Sequence, residues 1–219
     1  MSQSINLKEL ERKAFTSIFQ DGLWDLFLGL QLLTWGLALL LEEIVPLSDW
    51  WGAVLAAPLM LVYLAIFVAK KYITAPRIGH VKFGSKRKAK VQRVVAIASG
   101  MLLLGLLVGA LWWWGIKTGL PEWVAGIPLP PVIWVVLFIT GFSLAAYFLD
   151  FNRLYLYGPL YAISLPTRII LKQSPALGSI SLIVYFVSGG VMVLIGTVLF
   201  IRFLHDYPIP AEAASDGNH

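Results

Sequence analysis

Residues 21–43 read DGLWDLFLGLQLLTWGLALLLEE, with no charged side chain between Asp25 and Glu42. Crossing the ~30 Å hydrocarbon layer of a bilayer takes a helix of roughly 20 mostly apolar residues. The stretch therefore reads as a membrane span over 22–41, with the Asp25 carboxylate one turn inside its start. Asp21 is placed to cap that helix, and Asp25 to complement its positive N-terminus.

The rest of the chain has the same character. Its 219 residues are 58% hydrophobic and only 13% charged, too little polar surface to cover a water-soluble core of that size. The expected fold class is all-α: a polytopic transmembrane helical bundle preceded by an N-terminal amphipathic helix. Further spans are expected over 50–69, 94–115, 132–149 and 179–203. Segment 154–171 carries Pro159 and Pro166 and is read as one more span. Tyr155, Tyr157 and Tyr161 cluster at one of its ends and Arg168 with Lys172 at the other, as anchors at two interfaces do. That gives six spans; a five-span bundle with 154–171 along the inner surface is the alternative.

Basic residues orient the bundle. Lys70, Lys71, Arg77, Lys82, Lys86, Arg87, Lys88, Lys90 and Arg93 crowd one connection, 70–93, which the positive-inside rule keeps cytoplasmic. Two spans separate this loop from the N-terminus, which is then cytoplasmic too, while Glu42, Glu43 and Asp49 face outward. No cleavable leader is expected, because the first twenty residues are charged and helical in pattern. The chain has no cysteine, which removes disulfides, thiolate metal sites and cysteine nucleophiles together.

Residues 1–20 form a cytoplasmic segment in which Asn6 can cap a helix with Glu9 three residues on, and Leu7, Leu10, Ala14 and Ile18 recur at helical spacing. The bundle occupies 21–205, and 206–219 reads as a disordered tail. Two hairpins end at the inner face in similar strings, APRIGHVKF and FNRLYLYG, consistent with a two-fold repeat or with chance.

The segments GLWDLFLGL, PRIGHVKFG, NRLYLYGPLY and RFLHDYP resemble landmarks of a group of small, uncharacterised prokaryotic multi-pass membrane proteins. The resemblance implies a prokaryotic plasma membrane and no particular chemistry.

Tests for chemistry come out negative. His80, His205 and His219 all lie outside the spans, so in-plane metal ligation within the bundle is not expected, and no cofactor is. DGLWD lacks the Ala-Arg and the later Gly-x-x-x-Asp of the phospholipid-alcohol transferase motif. No Gly-x-Ser-Gly or His-Glu-x-x-His stands on any span. The chain is expected not to be an enzyme. Spans two, three, four and six carry no charge away from their ends, which disfavours ion-coupled transport of charged solutes.

Three groups of residues remain as candidate sites. Lys82, Lys86, Arg87, Lys88 and Lys90 form a basic cluster expected to meet anionic lipid headgroups at the inner leaflet and no nucleic acid. Gly22, Gly29 and Gly36 recur every seven residues along the first span, and Gly105 with Gly109 forms a Gly-x-x-x-Gly in the third. Small residues let helices approach closely in lipid, within the bundle or against another membrane protein or a second copy. Asp25, on the glycine seam, is expected to pair with Arg77 or Arg153 at the inner ends of neighbouring spans. The expected function is a scaffold, accessory or sensory membrane subunit acting through helix packing and a basic inner surface; the alternative is a small permease or channel for a neutral or apolar solute.

Overall fold

The computed structural model describes residues 19–44, 51–78, 85–119, 129–173 and 177–208, which contain helices and turns and no strand. The helices are α1 (Leu23–Ile44), α2 (Trp51–Ala69), α3 (Ala75–Ile78), α4 (Ser85–Thr118), α5 (Leu129–Leu149), α6 (Leu154–Lys172) and α7 (Ile183–Asp206). A π-helical turn, Lys70–Thr74, joins α2 to α3, and a 3-10 turn, Gly178–Ile180, precedes α7. Residues 6–18 of the expected N-terminal helix, Lys82, and the tail from 209 lie outside the described residues, and residues 19 and 20 form a turn.

Four helical stretches are long and apolar enough to cross a membrane: Leu23–Ile44, Ala89–Leu111, Pro131–Leu149 and Ile183–Asp206. The six expected spans are thus not all supported on length and composition. Helix α6 falls short because its 19 residues include Pro159, Pro166, Ser164, Arg168, Lys172 and three tyrosines. In α2 the first seven side chains lie outside the described residues. The described parts of the connection 70–93 are helical and not loop. Residues 70–78 are helical, and α4 begins at Ser85, so Lys86 to Arg93 occupy its first turns. At 1.5 Å per residue its 34 residues measure about 51 Å, well beyond a hydrocarbon layer.

The chain divides into two compact units, residues 1–83 with 185–219, and residues 84–184. In the first, α1 and α7 run antiparallel along a seam of glycines. Gly22 meets Gly196 and Phe200, Gly29 meets Val193 and Gly189, and Gly36 meets Tyr185. Leu32 and Met192, both fully buried, belong to the same core. Helix α2 packs against α1, with the Phe27 and Tyr63 rings edge to face at 6.2 Å.

In the second unit, α5 lies between α4 and α6. Gly141 gives Met101 room, since a Cβ there would lie 2.9 Å from the Met101 sulfur, and Gly158 does the same for Phe142. Tyr161 stacks on Phe138 at 5.2 Å and lies 5.1 Å from Phe142. Both prolines of α6 lie inside one continuous helix. The carbonyl of Tyr161 accepts from the indole Nε1–H of Trp134 at 2.9 Å and from the Ser164 hydroxyl at 2.6 Å. Two threonine hydroxyls bond within their own helix: Thr34 donates to the Leu30 carbonyl and Thr197 to that of Val193, each at 2.8 Å.

Helix α5 ends on Asp150, whose φ of 53° is left-handed, a conformation an aspartate adopts more readily than most residues. The Phe151 N–H reaches back to the Ala146 carbonyl at 3.1 Å, and both side chains are buried, which is the hydrogen bond and apolar contact of a Schellman helix end.

Candidate functional site

The polar residues of the first unit converge where α1 begins and α2 ends. Asp21 is fully buried. Its Oδ1 accepts the Leu23 N–H at 3.2 Å, and the turn is completed by Gly22 at φ +75°, a conformation few other residues adopt easily. Its Oδ2 accepts from the Lys70 ammonium at 2.7 Å and from the Thr74 hydroxyl at 3.1 Å. Lys70 also stands over the Trp24 ring, 5.7 Å from its centroid.

The π turn follows from the sequence just beyond it. Pro76 has no N–H and its ring crowds the carbonyl four residues back, so α geometry is unfavourable there. The Ala75 N–H instead reaches Lys70, five residues back, widening the turn that carries both Lys70 and Thr74. Burial pushes the Lys70 ammonium below the usual lysine range; attraction to Asp21, the hydrogen bond between them, and the charge of Asp25 oppose that shift.

The ion pair described at the start of α1 is therefore made by Asp21 and Lys70, whereas Asp21 was expected only to cap. Asp25 is fully buried on the seam beside them. Of its expected partners, Arg77 lies in the same unit, and its Nε and Nη1 are buried with no hydrogen-bond partner among the described residues. An unsatisfied buried donor costs about 1–3 kcal/mol, and more when charged. Arg153 lies in the other unit, where its guanidinium carbon stands 4.8 Å from the Phe151 ring centroid.

The glycines fall into two groups. A Cβ at Gly29 would lie 2.8 Å from the Val193 backbone nitrogen, and one at Gly196 would lie 2.6 Å from that of Leu26; at Gly22 it would collide with the Gly196 carbonyl. Contacts this close to backbone leave no room for a side chain. Sequence reading found Gly22, Gly29 and Gly36 but missed their counterparts, although Gly189 and Gly196 are also seven apart. Gly105 meets only Leu137 at an ordinary 3.7 Å, and Gly109 has nothing within 4 Å.

Of the basic cluster, Lys90 has a described side chain, and its Nζ lies 3.5 Å from Asp150 Oδ2 with both groups partly exposed. The side chains of Lys86, Arg87 and Lys88 lie outside the described residues. His205 is exposed at the end of α7, with Nδ1 3.3 Å from Asp206. Among the described residues no three His, Asp or Glu side chains gather as metal ligands. In comparisons with protein-family models, curated proteins and solved structures, nothing matches the chain.

Proposed function

We propose that the chain is a multi-pass protein of a prokaryotic plasma membrane, akin to the small proteins it resembles, and that it is a scaffold, accessory or sensory subunit without a catalytic site. In this reading α1, α2, α4, α5, α6 and α7 all cross, the N-terminus is cytoplasmic, and the basic ends of both units face anionic lipid. The observation that carries it is the contrast between two glycine surfaces. The α1 seam is closed by α7, whereas no residue of 89–111 on α4 is buried and Gly109 stands open. Lipid covers exposed leucines well, but the notch left by a missing side chain suits another helix. Purification from native membranes in mild detergent tests this. A complex larger than the 24.3 kDa chain, dissociated by Gly109→Leu, is expected; a wild-type monomer counts against it.

A permease for a neutral solute is the second reading, and α6 favours it. Tyr157, Tyr161 and Ser164 are buried on a continuous helix that carries Pro159 and Pro166 within it, and polar, proline-bearing helices are a recurrent lining of solute paths. Solute uptake by reconstituted vesicles separates the two readings.

A further inference from the structure

We propose that Arg77 anchors a phosphate-binding site at the basic end of the first unit, filled by the phosphodiester of an anionic lipid headgroup or by free phosphate. The lipid source rests on the membrane reading above; the anion chemistry does not. Lys70 is committed to Asp21 at 2.7 Å, so that carboxylate already has its counter-charge. Arg77 lies three residues beyond Thr74, the other group bonded to Asp21, and is left with Nε and Nη1 shielded from water and without an acceptor among the described residues.

A guanidinium presents its donors in a planar fork that matches phosphate oxygens, and a charge-assisted bond of this kind is stronger in a site from which water is already excluded. Arg77 as a whole is only half-buried, so it lies at the surface of the unit and a turn of its side chain presents the fork to an anion. Its surroundings favour an anion at headgroup level. Lys71 is exposed, with its Nζ 5.4 Å from the ring centroid of Tyr72, and Tyr72 is itself 66% exposed, an amphipathic ring of the sort that settles at a membrane–water interface.

The test uses the full chain in neutral detergent with two probes. Native mass spectrometry follows retention of dioleoyl phosphatidylglycerol, and thermal unfolding follows inorganic phosphate against chloride at equal ionic strength. Arg77→Gln should weaken binding of at least one probe by roughly 10- to 100-fold, the range for losing a hydrogen bond to a charged group. Arg77→Lys, which keeps the charge but not the fork, should lose most of the same affinity, while exposed Arg93→Gln should bind as the wild type does. Loss confined to the lipid assigns the headgroup as the ligand, and loss confined to phosphate assigns the free anion. If Arg77→Gln does not fold, Arg77→Lys decides alone. Wild-type binding of both probes by the Arg77 variants, or an equal loss in Arg93→Gln, overturns the proposal. Neither result bears on Gly109, so the packing reading stands or falls separately.

Discussion

Lys70 holds its Nζ 2.7 Å from Oδ2 of Asp21, a residue 49 positions earlier, and so ties the end of α2 to the entry of α1. Because Asn at position 21 keeps the oxygen that accepts the Leu23 N–H, Asp21→Asn removes the charge and spares the cap. It removes the counter-charge 2.7 Å from the Lys70 ammonium, which is 21% exposed, so a loss of about 3 kcal/mol is expected, at the lower end for a broken buried pair. Lys70→Met added to Asp21→Asn should cost little more, and Thr74→Val alone about 1 kcal/mol. Unfolding in detergent measures each, and additive losses at 21 and 70 would deny the pairing.

The two glycine groups should respond oppositely to one added methyl. Gly29→Ala and Gly196→Ala drive a Cβ against backbone and should destabilise the first unit by about 1–3 kcal/mol each, since a tightly packed contact yields poorly to extra volume. Gly109→Ala meets open space and should stay within about 0.5 kcal/mol of wild type in the isolated chain. Thermal unfolding of the three variants side by side would expose the idea as wrong if their midpoints fell together.

Asp150 offers a test of backbone geometry. Its φ of 53° suits glycine better than any branched side chain, and its bond to Lys90 is a partly exposed pair. Asp150→Gly should therefore be close to neutral, whereas Asp150→Val should lose about 1–3 kcal/mol, and Lys90→Gln less than 1. A neutral Asp150→Val in the same unfolding assay would speak against the left-handed helix end.

Span number is open to thiol labelling, and the absence of native cysteine makes each introduced thiol unique. Six proposed spans expect Ser48→Cys and Ser174→Cys to react in intact cells, and Ser85→Cys and Ser215→Cys only after permeabilisation. Labelling of Ser215→Cys from outside, with Ser174→Cys protected, would establish five.

Helix positions were legible in the sequence because apolar length is a strong signal, and α1, α2, α5 and α6 begin or end within a few residues of where hydropathy put them. The basic run was not legible as helix. Lysine and arginine tolerate helices well but also mark connections, and hydropathy sees only the polarity. Asp25 drew the eye as the carboxylate inside the apolar stretch, while the described pair fell to Asp21. That choice depends on the π turn before Pro76, which no periodicity of 3.6 anticipates. The glycine seam was half legible: Gly22, Gly29 and Gly36 stood out by their spacing, but Gly189 and Gly196 are masked by Gly190, an extra glycine that meets nothing within 4 Å.

The most direct measurement of the packing account is oxidative cross-linking in native membranes of single cysteines placed at each position from 102 to 111 on α4. Cross-links that peak at Gly109→Cys and recur with helical periodicity are predicted. Uniform labelling by a lipid-soluble thiol reagent, with no cross-linked product at any position, would contradict the account and leave α4 facing lipid alone.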